Sequence, residues 1–311
     1  DPALLAKNFP DLDLLDPVTP STAELERRAV EAEAAGLAVK GVTKSGGASA
    51  SAGMGGMVLV TSTGFHGSYL RSSQSISMMA IVGDGTAMER DYDFNHELHG
   101  ADLASASRVG RHARERTVAR ANPRKVATCK VPVVYDPRVA GSLVGHVIGA
   151  ANGASIARKT SFLKDRLGER LFAKGIRIVD DPLRVRGLRS QSFDAEGVVT
   201  KKLAVIDDGV LTSWLMDSAT ARELGLTTTG HAHRGVSSSP SPGSYNLHLE
   251  AGRMTPAELI SDIKEGFYVT DLIGSGVNGV TGDYSRGASG FWIENGEITY
   301  PVSEITIAGH L

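Results

Sequence analysis

The alternation of apolar and polar positions divides the chain into segments of two periods. Ser21-Thr-Ala-Glu24 has the form of a capping box, and an amphipathic stretch follows it up to Gly36, so a helix is expected there with Gly36 closing it. From Val39 to Tyr92 the period shortens to two. Met57-Val-Leu-Val60, Ser75-Ile-Ser-Met78 and Ala80-Ile-Val82 read as short strands, broken at Gly64, Gly67 and Gly83-Asp-Gly85. Turns this short cannot hold parallel crossovers, so the segment is expected to be an antiparallel meander. Ser45-Gly-Gly-Ala-Ser-Ala-Ser51 within it reads only as flexible in composition. A second helix is expected over about 103–120, stopping before Pro123.

Beyond a polar, basic link at about 122–130, Val131-Pro-Val-Val-Tyr135 reads as a strand and 139–152 as a helix of small residues that can pack closely. A hairpin is expected across Asp207-Asp-Gly209, a helix opened by Thr255-Pro-Ala-Glu258, and a final hairpin in which Asn295-Gly296 supplies the two positive-φ positions of a type I′ turn between Phe291-Trp-Ile293 and Ile298-Thr-Tyr300. Strands outnumber helices and most connections are local. The fold class expected is α+β, mostly antiparallel sheet with flanking helices, in two domains over residues 1–125 and 126–311.

Composition agrees with two cores and narrows the chemistry. At 311 residues and 41% hydrophobic content the chain can bury a sizeable interior. Its net charge of −2 favours no polyanionic partner. The single cysteine, Cys129, excludes an internal disulfide framework and a multi-cysteine zinc site, and fits a reducing cytoplasm. No apolar run approaches the roughly 18 residues of a membrane span, and Asp1-Pro-Ala-Leu-Leu-Ala-Lys7 lacks the pattern of a signal peptide.

The segment Gly279-Val-Thr-Gly-Asp-Tyr-Ser-Arg-Gly-Ala-Ser-Gly-Phe-Trp-Ile-Glu-Asn-Gly-Glu-Ile298 is too idiosyncratic for generic β-structure. Its first half reads as a glycine loop that displays Asp283, Tyr284, Ser285 and Arg286 on a backbone free to approach another molecule. It closely resembles the C-terminal signature of the TldD/PmbA family, the so-called modulators of DNA gyrase, on the PmbA (TldE) side. Val131 to His146, Arg158-Lys-Thr-Ser-Phe-Leu163, Gly187-Leu-Arg-Ser190, Asp208-Gly-Val-Leu-Thr-Ser-Trp214, Ser239-Pro-Ser-Pro242 with Asn246-Leu247, and Asp262-Ile-Lys-Glu-Gly266 resemble the same family in the same order. Gly85-Thr-Ala-Met-Glu-Arg-Asp-Tyr92 fits its middle domain. Family members are longer at the N-terminus, so the resemblance implies an N-terminal segment absent from this sequence.

The resemblance also frames the chemistry. TldD-type members resemble zinc peptidases, with His-Glu-x-x-x-His on a helix supplying two ligands and a general base, and a late cysteine ligand. At the matching place this chain reads Gly141-Ser142-Leu-Val-Gly-His146. One ligand is thus replaced by Gly141 and the base by Ser142. His146 alone remains, and Cys129 lies in the wrong place for the cysteine. The expectation is a chain that binds no metal or other cofactor itself, with zinc in a TldD-like partner. The resemblance implies a PmbA/TldE-type subunit of a cytoplasmic metalloprotease acting on unfolded peptides, in a heteromer or as a homo-oligomer. Gly282, Asp283, Tyr284 and Arg286 are expected at the peptide channel, against a reading in which Asp283 and Arg286 pair merely to brace the turn. His146 stays a candidate catalytic residue, against a packed helix histidine.

Other patterns are weighed against this reading. His96-Glu97-Leu-His99 has zincin-like residues at the wrong spacing, and polar Asp93 and Asn95 beside it favour an exposed turn. His231 and His233 would share a strand face and could chelate, whereas Gly230 and the Ser/Pro-rich stretch after them favour a mobile loop. Gly274-Ser-Gly-Val-Asn-Gly279 follows an apparent strand over 267–273 but lacks the following helix of a dinucleotide site. Arg108, Arg111, Arg114, Arg116, Arg120, Arg124 and Lys125 form a basic patch. It supports the alternative of a nucleic-acid or gyrase-linked binding protein, although the absence of interleaved aromatics favours solvated or paired arginines.

Overall fold

The computed structural model describes residues 1–38 and 41–311; Val39, where the expected meander starts, lies outside the described residues. The first sheet is an antiparallel meander of β1 (Lys44–Val60), β2 (His66–Val82) and β3 (Glu89–Glu97), covered on one face by α1 (Thr22–Leu37) and α2 (Ala106–Ala119). Alternation places Ile76, Met78 and Ala80 inward, where they meet Ala32, Ala106, Val109 and Ala113 in one core. The helices begin where side chains satisfy their free amides: Ser21 accepts from the Glu24 N–H and Ser105 from the Arg108 N–H.

Four expectations for this region are corrected. Ser45 to Ser51 is strand, because pairing with β2 supplies its hydrogen bonds and serines stack across the ladder, Ser49 to Ser77 at 2.9 Å and Ser51 to Ser75 at 2.8 Å. Gly67 lies inside β2, which runs unbroken through Ser75 to Val82, so the three short strands there are parts of two long ones. Gly36 does not close α1 but lies within it, buried. The Met78 side chain packs where a Cβ would stand, 2.3 Å from that position. The Glu24 carboxylate, expected to complete the capping box, is taken by Arg27 and Arg28.

The rest of the chain builds two four-stranded sheets with a helix between them, and one two-stranded sheet. It comprises β4 (Val133–Tyr135), α3 (Pro137–Ala150), α4 (Gly153–Ala157), β5 (Ile178–Asp180), β6 (Leu203–Asp207), β7 (Val210–Leu211), α5 (Ser218–Glu223), β8 (Ala232–His233), β9 (Ser241–Pro242), β10 (Leu247–Leu249), α6 (Pro256–Ser261), β11 (Glu265–Ile273), β12 (Asp283–Glu294) and β13 (Glu297–His310). Strand orders are β13-β12-β11-β4 and β10-β5-β6-β7, and only β4 against β11 is parallel among the named strand pairs. The fold is therefore α+β and dominated by antiparallel sheet. Helix α3 lies between the two cores. Val147 and Ile148 join Ile178, Val205, Ile206 and Leu215, while Val139 packs on the cluster of Phe267, Val269, Trp292 and Val302. Residues 1–13 run along this half of the molecule: the Ala6 N–H donates to the Gly197 carbonyl and Arg186 pairs with Asp13.

The expected turns form by local chemistry. Asn295 and Gly296 have φ of 49° and 84°, and Asp208 and Gly209 have 46° and 82°, the paired positive values a type I′ hairpin needs. Thr255 and Glu258 form the reciprocal capping box that opens α6.

The contact between α1 and α2 makes a stability test. A Cβ on Gly110 would lie 2.1 Å from the backbone oxygen of Ala32, which cannot yield without separating the helices. Gly110→Ala is expected to destabilise the protein by about 2 kcal/mol. Gly53→Ala, whose Cβ meets nothing within 4 Å, should change stability by less than about 0.5 kcal/mol. Urea unfolding of the two variants checks this, and equal midpoints would show that the helices do not depend on close approach.

Candidate functional site

Helix α3 is set by its first residues. Asp136 caps it, with one carboxylate oxygen accepting from the Arg138 N–H at 2.9 Å and the other from the Tyr268 hydroxyl at 2.9 Å, and Pro137 supplies a pre-set φ at the first position. Burial, with that hydrogen bond, pushes the Tyr268 phenol up to about 12. Ser142 and His146 stand one turn apart on α3. The Ser142 hydroxyl donates to the Val139 carbonyl at 2.6 Å, so it is engaged with its own helix. Gly141 is exposed.

Opposite His146 stands β12. The expected glycine loop is strand from Asp283 onward, because Asp283 to Ala288 pair with residues 310 to 305 of β13 on one side while Gly287 and Ala288 meet Ile273 and Leu272 of β11 on the other. Regular alternation over this stretch puts Tyr284 and Arg286 on one face and Asp283 and Ser285 on the other. The bracing pair of Asp283 with Arg286 therefore does not form; Asp283 accepts instead from the Thr281 hydroxyl at 2.6 Å. Tyr284 is buried and meets the His146 ring edge-on, with centroids 6.0 Å apart, and the Tyr135 hydroxyl donates to the Tyr284 hydroxyl at 3.4 Å. Burial, and then the charge of Arg286, lowers the His146 pKa, while burial followed by the Tyr284 contact raises that of Tyr135. The Nε atoms of Arg286 and His146 are buried without hydrogen-bond partners among the described residues.

The structure thus brings His146, Tyr284 and Arg286 together and adds Tyr135, which no spacing in the sequence linked to His146. Gly282 and Asp283 lie apart from them, beside the turn over 278–282 and the His310 ring. A zinc ion does not fit the donor set at α3: Gly141 has no donor, Ser142 is engaged, and His146 stands alone. Among the described residues no group of three His, Cys, Asp or Glu side chains is arranged to hold a metal ion, and Cys129 is exposed.

The other histidine patterns resolve into structure. His96 is the last but one residue of β3, near the Ser73 hydroxyl, and His99 is buried against the Asp13 carbonyl at 2.9 Å, so the expected exposed turn is a strand end leading into the core. His231 and His233 are not on a mobile loop. His231 is fully buried, its Nδ1 donating to the Thr229 carbonyl at 2.8 Å and its Nε2 standing 3.5 Å from the Asp180 carboxylate. Tyr245 packs on both rings and donates its hydroxyl to the Gly230 carbonyl at 2.9 Å. Beside them Asp194 accepts three backbone N–H groups, and burial still raises its pKa to about 6. Burial, then the charge of Arg189, lowers that of His233 to about 4. Gly274 to Gly279 lead through a turn into β12 rather than a helix.

The basic patch is largely consumed within the molecule. Arg116 pairs with Asp93 at 3.2 Å, Arg120 with Asp91 at 3.5 Å, Arg114 with Glu115 at 3.4 Å and Lys125 with Glu304 at 2.8 Å, while Arg124 lies over the Tyr300 ring. Arg108 and Arg111 are exposed.

Comparison with known proteins matches this architecture. Residues 15–121 fit the profile of the PmbA/TldA metallopeptidase central domain and residues 128–311 that of its C-terminal domain. Metalloprotease PmbA of Escherichia coli O157:H7 is 41% identical over 312 residues, covering 100% of this chain and 67% of its own length. The PmbA homolog of Haemophilus influenzae is 39% identical with the same coverage. A crystal structure of a candidate modulator of DNA gyrase from Bacteroides thetaiotaomicron superposes with a TM-score of 0.91 at 29% identity, over 100% of this chain and 69% of that one. TldE from Thermococcus kodakarensis shares the fold, with a TM-score of 0.84 at 21% identity over 94% of this chain and 66% of that one.

The cluster around Tyr245 generates a pH prediction. His233, depressed from 6.5 to about 4, contributes stability that is present above pH 6.5 and lost as the pH falls toward 4. Asp194, raised from 3.8 to about 6, acts oppositely, its contribution being lost as the pH rises toward 6. His233→Asn leaves Asp194 unopposed. Between pH 7 and pH 5 the variant should gain on the order of 1 kcal/mol relative to the parent, read from urea midpoints at both pH values. An unchanged difference between the two proteins would refute it.

Proposed function

The chain belongs to the PmbA/TldD metallopeptidase family, and from that premise we propose that it is the TldE-type, non-metal subunit of a cytoplasmic protease that acts on unfolded peptides. A TldD-like partner holds the zinc, and this chain completes the chamber and holds the peptide. The observation that carries the reading is the make-up of the α3 face. Gly141 and Ser142 stand where the family's zinc pattern has a ligand and a base, yet the helix remains capped, buried on two sides and aimed at β12. A face kept in place without its metal donors suits positioning rather than metal chemistry.

Edge strands support the peptide part of the reading. β1 and β13 each lie at the edge of their sheet, where an extended chain can add by main-chain hydrogen bonds irrespective of its sequence. On this view the Tyr284 and Arg286 face of β12 borders the path of the peptide and performs no bond cleavage itself. The internal pairing of the basic helix gives less support to the nucleic-acid alternative.

The test is metal analysis and cleavage of an unfolded peptide by this chain alone, by a TldD-like partner alone, and by the mixture. The expected outcome is less than about 0.1 zinc per purified chain and cleavage that depends on mixing. Replacing Tyr284 and Arg286 together with Ala should lower cleavage by the mixture about tenfold while leaving assembly intact by size-exclusion chromatography. Stoichiometric zinc at His146, or cleavage by this chain alone, would overturn the proposal.

A further inference from the structure

We propose that Arg286, together with His146 and the Tyr135–Tyr284 hydroxyl pair, forms a carboxylate-binding site whose ligand is the C-terminal carboxylate of a peptide. The inference rests on the peptide-holding reading above and names the group that is held.

It starts from how the other arginines that are mostly withdrawn from water are satisfied. Arg120 and Arg138 pair with Asp91, Arg116 pairs with Asp93, and Arg71 donates to the Leu188 and Ser190 carbonyls at 2.9 and 2.7 Å. Arg286 is half-buried on the face of β12 that meets α3, and among the described residues it makes no hydrogen bond and no ion pair. The carboxylates near it in sequence or fold are committed elsewhere: Asp283 points to the opposite face, and Asp136 accepts from the Arg138 N–H and the Tyr268 hydroxyl. Its charge has no counter-ion among the described residues, so an anion that reaches the guanidinium gains a charge-assisted hydrogen bond that the chain itself does not make.

The neighbours specify which anion. His146 and the two tyrosines are the ionisable groups facing Arg286 from α3, β4 and β12. Burial and the arginine charge keep the imidazole neutral at neutral pH, and the phenol of Tyr135 is held protonated. The site therefore offers one positive charge, a planar guanidinium fork and neutral donors. That set matches a singly charged, planar carboxylate accepting from the fork, and falls short of the charge a phosphate dianion calls for. The Nε atoms of Arg286 and His146 are enclosed, whereas the Nη atoms of Arg286 are not, so the Nη atoms are the donors such a ligand meets. In an unfolded peptide of arbitrary sequence, the carboxylate always present is the terminal one.

The test measures binding by the intact chain, without cleavage. The probe is a fluorescent peptide of about ten residues lacking Asp and Glu, prepared with a free and with an amidated C-terminus. Amidation is expected to weaken binding at least about tenfold, and Arg286→Gln to remove the difference between the two forms. Arg286→Lys keeps the charge without the fork and should retain part of the preference. An amidated peptide carrying one internal Glu separates a side-chain carboxylate from the terminal one, and should bind as weakly as the amidated parent. Because Arg286 has no partner among the described residues, Arg286→Gln should leave the urea midpoint unchanged or raised. Equal binding of free and amidated peptide overturns the carboxylate site while the peptide-holding reading stands. A preference for the free terminus that survives in Arg286→Gln overturns the assignment to Arg286. No binding of either peptide, in a chain that still supports cleavage in the mixture, overturns this inference alone; loss of cleavage as well removes the functional reading with it.

Discussion

The carboxylate of Asp91 holds the two halves of the molecule in register. It is 4% exposed, sits on β3, and is gripped by Arg138 from α3 at 2.8 and 3.4 Å and by Arg120 from the end of α2 at 3.5 Å. Arg138 also donates to the Tyr92 carbonyl at 2.9 Å and lies over the Tyr92 ring. Such a group is not dispensable once built. Loss of the Asp91 carboxylate would take the buried counter-ion from two guanidinium groups drawn from water, a penalty of about 3–5 kcal/mol. Its larger effect is geometric. Arg138 is the second residue of α3, so anchoring it to β3 fixes where α3 starts relative to the first sheet.

From that anchor the candidate site follows. Asp136 caps the same helix and receives the Tyr268 hydroxyl from β11, so the helix is tied to both sheets before its first turn is complete. Val147 and Ile148 then enter one core and Val139 packs on the other. His146 is left facing β12, where Tyr284 closes against it. The site is rigid because His146 stands on a capped helix and Tyr284 and Arg286 on a strand paired with β13, and preorganisation of this kind favours binding a group over moving with it. Tyr135, at the end of β4, is brought in by the same helix start, one residue before Asp136.

Much of the fold was legible because the signals were local. An Asn-Gly or Asp-Gly pair can meet a type I′ turn's need for positive φ wherever it occurs, and a Thr with Glu three residues later satisfies the first amides of a helix without help from distant residues. The predominance of antiparallel sheet followed from short connections. The family followed from long, ordered strings of residues rather than from any one of them.

What sequence by itself determined, then, was turns, helix starts, the fold class and the family. Tertiary structure decided the rest. A serine- and glycine-rich segment became the strand β1 because β2 lay beside it to supply its hydrogen bonds and serine partners. The glycine loop at Asp283 became strand because β13 lay on one side of it and, from Gly287, β11 on the other. His231 and His233, in a stretch that composition marks as mobile, were drawn inward by Tyr245 and Asp180. The pairing of Arg116 and Arg120 with acids of β3, and the lack of an ion pair for Arg286 among the described residues, were equally invisible in sequence. Strand pairing and charge compensation join residues far apart along the chain, so their outcome depends on which surfaces the completed fold brings within a few ångströms of each other.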